Sequence, residues 1–155
     1  MAVRLPTRWH NLWKRLFVKN GAEISGKSLL VEAQRAALNA YAPYSNFRVG
    51  AAVVGASGAI YRGANIENAS FGLSLCAERS ALSAAASAGD LPVQLIAVAC
   101  IDAEESGPAG ERLPCGACRQ WMEELANGAE VYVLGESGPY TVGDLLPDPF
   151  TLRRT

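Results

Sequence analysis

A chain of 155 residues, 50% hydrophobic and 19% charged with a formal net charge of −1, has the size and composition of one folded unit around a single core. No apolar run approaches the roughly 18 residues that span a bilayer, and the N-terminus lacks a compact apolar segment with a small-residue cleavage site, so neither a membrane span nor secretion is expected. Four cysteines in a core of this size read as reduced thiols in a cytoplasm-like compartment rather than as a disulfide scaffold.

The charge is unevenly spread. Met1 to Ala22 carries Arg4, Arg8, Lys14, Arg15 and Lys19 and no acid, which leaves nine bases against fifteen acids, about −6, from Glu23 onward. So acidic a body is a poor non-specific ligand for a phosphate backbone, and small molecules are favoured over long nucleic acids. Within the extension Trp9, Leu12, Trp13, Leu16 and Phe17 recur at helical spacing between the bases. That face is compatible with a packed extension, with contact at a membrane surface and with import into an organelle. His10, the single histidine, lies here and reads as a surface residue.

Residues 1–27 are taken as a basic extension ending in a short linker around Gly21 and Gly26, and residues 28–155 as the folded domain. Ser28 is the expected N-cap of a helix through "LLVEAQRAALNAY", which "APYSN" breaks. Phe47 to Val54, the turn "GASG" and Ile60 to Ile66 predict a hairpin, followed by an alanine-rich helix in "CAERSALSAAASAG" that Gly89 can end. "QLIAVACI" has the pattern of a strand buried on both faces, and "EESGPAGERL" that of a polar loop whose Glu104, Glu105 and Glu111 are solvated. A further helix is expected from about Cys115 to Ala126, with Pro114 in its first turn and Trp121, Met122 and Leu125 in the core. "EVYVLG" then supplies a strand, with a short strand near Tyr140 and a last helical turn at Asp144 to Leu146. Strands alternating with helices need crossovers, so the fold class is α/β: a three-layer α/β/α sandwich with a mixed central sheet.

Two helices thus begin at cysteines, Cys76 and Cys115, where the helix terminus favours thiolates. With Cys118 they offer three sulfur ligands, and zinc held by three protein ligands keeps a fourth position for water. Glu78 stands two residues beyond Cys76, in the same first turn but in another direction, as a general acid/base beside such a water must. Read alone, "PCGAC" also suits a redox pair, but that leaves "CAE" and "NIEN" unexplained. A closed structural site would need Cys100, which sits in an apolar run where a buried thiol is the ordinary expectation.

"CAE" followed by "PCxxC" is the zinc nucleobase-deaminase pattern with cysteine where histidine often stands. The chain from about Ser28 to Phe150 resembles the small cytidine deaminases of the three-cysteine homotetrameric class, through "YAPYSNFRVGAA", "NIENASF", "CAERSA", "PCGACRQ" and "LLPDPF". The resemblance implies one zinc per subunit on Cys76, Cys115 and Cys118, with Glu78 shuttling protons between water, N3 and the departing amine. It also implies that Asn65 and Glu67 bind the ribose 3′-hydroxyl, that Phe47 packs on the pyrimidine and that the Ala77 backbone meets the base carbonyl. Arg79 would hydrogen-bond ligand sulfurs. Ala69 and Phe71, the latter where a tyrosine is common, would lie near the 5′ end of the sugar. Phe150 would cover the site of a neighbouring subunit in a tetramer with shared sites.

The activity so implied is hydrolysis of cytidine and deoxycytidine to uridine, deoxyuridine and ammonia in pyrimidine salvage. The other readings are deamination of another cytosine nucleoside, such as a nucleoside antibiotic or a C4-modified cytidine, editing or binding of single-stranded nucleic acid, and a zinc-stabilised scaffold without activity. "NIENASF" favours a ribose-bearing substrate, and the acidic body disfavours the nucleic acid.

Overall fold

The computed structural model describes residues 18–19, 22–104 and 106–152. The helical face from Trp9 to Phe17, His10 and Glu105 lie outside the described residues. The described chain opens with a two-residue ladder in which β1 (Val18–Lys19) pairs antiparallel with β2 (Ala22–Glu23), where the sequence suggested the end of the basic extension and its linker.

Helix α1 spans Gly26–Ala37 and starts at Ser25, not Ser28. The Ser25 hydroxyl accepts from the Ser28 N–H at 3.2 Å, and Ser28 Oγ accepts from the Ser25 N–H at 3.0 Å. Ser28 is therefore the third-position partner in a serine–serine capping box, a role sharing its position with the familiar Glu or Gln. Leu29, Ala33, Ala36 and Ala37 form the buried stripe of this helix.

The five-stranded sheet runs β4-β3-β5-β6-β7, with β3 at Val49–Val54, β4 at Ile60–Ala64, β5 at Leu95–Cys100, β6 at Glu130–Val133 and β7 at Tyr140–Thr141. Only β5 and β6 are parallel, joined by a crossover through α3 (Gly116–Ala126); the other pairs are antiparallel, so the sheet is mixed. Helix α2 (Ala77–Ser87) lies between β4 and β5 in sequence, and a short α4 (Val142–Leu145) follows β7.

Alternation along the strands separates two cores. Ala51, Val53, Ile96, Val98, Val131 and Val133 pack with α2, α3 and α4, whereas Ala52, Val54, Ala97 and Ala99 pack with α1. This is the expected α/β/α sandwich. Small residues let its layers close: a Cβ on Gly50 would stand 2.0 Å from the Ala33 carbonyl oxygen of α1, and one on Gly63 2.4 Å from the Ala81 nitrogen of α2.

Two local expectations change on α3. Trp121 is 38% exposed while Met122 is fully buried, because the helix turns only Cys118, Met122 and Ala126 squarely onto the sheet. Pro114 precedes the cap residue Cys115 rather than entering the first turn, so its carbonyl lies outside the helix and accepts from Arg119 Nε at 2.7 Å.

Candidate active site

Cys76 and Cys115 are both N-caps, with extended backbones (φ −72°, ψ 153° and φ −68°, ψ 166°) and no hydrogen bond from the side chain to the helix. A cap side chain and the side chain three residues later face each other across the first turn. In α3 that partner is Cys118, whose sulfur lies 3.5 Å from Cys115 Sγ; in α2 it is Arg79, whose Nη2 donates to Cys76 Sγ at 3.6 Å. The two helix starts meet: Cys76 Sγ is 3.9 Å from Cys115 Sγ, and the three sulfurs lie within 4.8 Å of one another.

This donor set fits zinc. Tetrahedral coordination with Zn–S bonds of about 2.3 Å separates sulfurs by about 3.8 Å, and the Cys115–Cys118 and Cys76–Cys115 separations lie on either side of that value. The Cys118 thiol hydrogen-bonds to Cys76 and, with Arg79 and Cys115, draws its pKa down to about 5 against the opposing effect of burial. Cys118 is driven up by that same bond, by burial and by the Glu78 carboxylate. A cation held between the sulfurs would offset this crowding of negative charge. Cys100 is separate: its thiol donates to the Arg112 carbonyl at 3.8 Å, and burial raises its pKa to about 12.

Glu78, the second residue of α2, is only 5% exposed, and burial foremost raises its pKa above the ordinary carboxylate value. A carboxyl held this way accepts and returns a proton more readily near neutral pH than an exposed one. Ala77, fully buried, is the first residue of the same helix, so its N–H has no acceptor within the helix. Arg79 also donates to the Ser74 carbonyl at 3.2 Å, and its Nε is buried with no hydrogen-bond partner.

A cavity of about 460 Å³ opens beside Cys76, lined by Tyr44, Ser45, Asn65, Ile66, Glu67, Phe71, Ser74 and Leu75. The structure therefore brings Asn65, Glu67 and Phe71 to one space with the first sulfur. It does not bring Phe47, Ala69 or Phe150 into that lining. Phe47 is bound through its backbone, its carbonyl accepting from Asn65 Nδ2 at 2.9 Å, while Phe150 is 69% exposed and its carbonyl accepts from Gln120 Nε2 at 2.8 Å. Asn65 Oδ1 accepts from the Val49 N–H at 2.9 Å. Backbone bonds tie this wall to the sulfur: Ile66 and Leu75 exchange N–H···O bonds of 2.9 Å, and the Glu67 N–H donates to the Tyr41 carbonyl at 2.8 Å.

The sequence reading missed Arg112 and Glu136. The Arg112 guanidinium donates to Glu136 Oε1 at 2.8 and 3.1 Å and to the carbonyls of Glu104 and Gly107, so it pins the loop that leads to Cys115. An arginine in a loop with acids nearby gives no periodic signal, and the separation of 24 residues hid its partner.

Three thiols and a buried carboxyl converging at helix starts, beside an open cavity in an α/β/α sandwich, are the parts of a zinc hydrolase. A family model described as the cytidine and deoxycytidylate deaminase zinc-binding region matches residues 25–134. A cytidine deaminase of Halalkalibacterium halodurans is 48% identical over 127 residues, covering 79% of this chain and 92% of the relative. One of Mycobacterium tuberculosis is 41% identical over 130 residues, covering 84% and 92%. The crystal structure of cytidine deaminase from Burkholderia pseudomallei superposes with a TM-score of 0.73 at 46% identity, covering 82% of this chain and all of that one. The chain belongs to the cytidine and deoxycytidylate deaminase family, and its cofactor is zinc.

Proposed function

We propose that the protein hydrolyses the C4 amine of cytidine and deoxycytidine, releasing ammonia and leaving uridine or deoxyuridine, as a step of pyrimidine salvage. Cys76, Cys115 and Cys118 would hold one zinc per subunit, which would supply the Lewis acidity that makes water nucleophilic near neutral pH. Glu78 takes a proton from the attacking water and gives it to N3 of the ring, then takes the remaining proton from that oxygen, now bound to C4, and passes it to the amine as the C4–N bond breaks. Arg79 offsets part of the negative charge of the sulfurs through its bond to Cys76. The free N–H of Ala77 supplies a donor for the base carbonyl.

The observation that carries the choice of a nucleoside is the hydrogen-bonding capacity left at Asn65 and Glu67. Glu67 accepts from the N–H groups of Tyr44 and Ser45 and from the Ser45 hydroxyl, which fills three of the roughly four acceptor positions of a carboxylate. Asn65 spends one N–H on Phe47 and one lone pair on Val49, keeping a donor in hand. The acceptor left on Glu67 and the donor left on Asn65 suit a group that does both, a sugar hydroxyl. A phosphate offers no donor, and among the described residues lining this cavity there is no Lys or Arg to meet its charge.

Tyr44 and Phe71 rings stand edge to face, 6.0 Å apart, at the mouth of the cavity, and Phe71 and Leu73 are 75% and 72% exposed. Such apolar exposure beside the site supports a homotetramer in which a neighbour covers it, with Phe150 as the covering residue. The test is Glu78→Gln. Turnover of cytidine is expected to fall by at least about 10³-fold while one equivalent of zinc stays bound; substantial activity in the zinc-replete variant would refute the assignment.

A further inference from the structure

The segment that joins α1 to β3 folds around the Glu67 carboxylate. Its Oε2 accepts from two backbone donors, the N–H of Tyr44 at 2.8 Å and that of Ser45 at 3.2 Å. Both bonds end on one oxygen, which alone would leave the carboxylate free to pivot about it. The second oxygen, Oε1, is fixed by the hydroxyl of Ser45. The same hydroxyl accepts from the Phe47 N–H at 3.0 Å, so its proton is committed to Glu67. Asn46, in the left-handed region with φ 56°, makes the turn that sets the Phe47 N–H over Ser45.

We propose that Ser45 is the positioning residue that sets the requirement for a sugar hydroxyl: by clamping Oε1 of Glu67 it leaves one lone pair of that oxygen, in one orientation, for the ligand. The inference rests on the proposed sugar-binding role of Asn65 and Glu67. The Ser45 hydroxyl is also the largest influence lowering the pKa of Glu67, followed by the Tyr44 N–H, so the clamp keeps the carboxylate an acceptor. Among the described residues Ser45 hydrogen-bonds through its side chain to Glu67 and Phe47, not to the sulfurs or Glu78. Its loss therefore acts on recognition of the sugar, and shows in KM before kcat.

The experiment compares cytidine with 3′-deoxycytidine in the full-length, zinc-loaded protein, taking the ratio of their kcat/KM values within each variant so that any inactive fraction cancels. The wild type is expected to prefer cytidine. Ser45→Ala is expected to raise KM for cytidine about tenfold, with a smaller change in kcat, and to shrink the preference by a similar factor. Ser45→Thr keeps the hydroxyl and is expected to keep the ratio. If the wild type does not discriminate, the sugar-binding reading falls and the Ser45 role falls with it. If it discriminates and Ser45→Ala keeps the full ratio, that reading stands and the Ser45 role is overturned. A ratio lost equally in the alanine and threonine variants assigns the effect to side-chain shape and overturns it too.

Discussion

The starts of α2 and α3 have nearly the same backbone and the same cysteine cap, yet they are supported in different ways. Cys76 is reached from a wall closed by backbone bonds between Ile66 and Leu75, and its third-position partner is a cation, Arg79. Cys115 is reached from a loop of residues 101–114 that makes few ladder bonds, and its partner is a second ligand, Cys118. Side chains do for the second start what the backbone does for the first. Arg112 holds the inner end of the loop, Arg119 holds the Pro114 carbonyl at 2.7 Å, and Arg48 holds the outer end through Asp102. The metal centre thus joins a wall that carries substrate recognition to a loop fastened by arginines.

The largest break in this comparison comes from Arg112→Ala. Arg112 and Glu136 are side chains only 10% and 13% exposed, and removing the arginine leaves a nearly buried carboxylate whose remaining side-chain partner among the described residues is the Tyr140 hydroxyl at 3.2 Å. A loss of about 3–5 kcal/mol in unfolding free energy is expected by denaturant titration, with faster release of zinc to a chelator. Adding Glu136→Leu should recover part of that loss, since the unpaired charge is then gone. Additive losses would show that the two residues do not act as a pair.

What the sequence made legible divides along the same line. Helices that begin at Cys76 and Cys115, the buried strand ending in Cys100 and the carboxyl of Glu78 follow from periodicity, composition and spacing. The supports do not. Arg112 and Glu136 lie in irregular chain, where neither a period of two nor of 3.6 marks burial. Ser28 is the expected cap because it stands directly before the apolar run, and only the reciprocal bonds show that it holds the third position behind Ser25. Trp121 reads as core because it is a large apolar residue between Cys118 and Leu125 on the helical wheel, whereas the helix meets the sheet along a narrower stripe. Phe47, expected against the pyrimidine ring, touches the site through its backbone in this single chain.

An intermediate effect probes the first start alone. A Cβ at Gly63 would lie 2.4 Å from the Ala81 nitrogen and 2.5 Å from the Ala77 carbonyl oxygen, both backbone atoms of α2. Neither can swing aside, so Gly63→Ala must push the helix off β4 at the turn that carries Cys76. About 1–3 kcal/mol of destabilisation is expected. Because Arg112 and its loop are untouched, zinc release should quicken through Cys76 while the Arg112–Glu136 coupling, measured by the same double-variant cycle in the Gly63→Ala background, stays as it was. A changed coupling energy would mean that the two starts are not independently supported.

The smallest effect concerns the outer fastening of the second start, and pH isolates it. Arg48 donates to both oxygens of Asp102, at 2.7 and 2.9 Å, and its N–H donates to the carboxylate at 2.8 Å; these bonds hold the Asp102 pKa at about 2, below the ordinary value of about 3.9. A carboxyl whose pKa is lower in the folded chain adds stability that is complete above the unfolded value and is lost as the pH falls toward the folded one. Asp102→Asn should therefore lower the urea midpoint at pH 7, and the gap from the wild type should begin to close below about pH 4. Salt should narrow it too, since the pair is exposed to solvent. The buried Arg112–Glu136 pair is screened far less, so its contribution at pH 7 should change little with salt. If salt erased both contributions equally, the distinction between an outer, solvated fastening and an inner, buried one would fail.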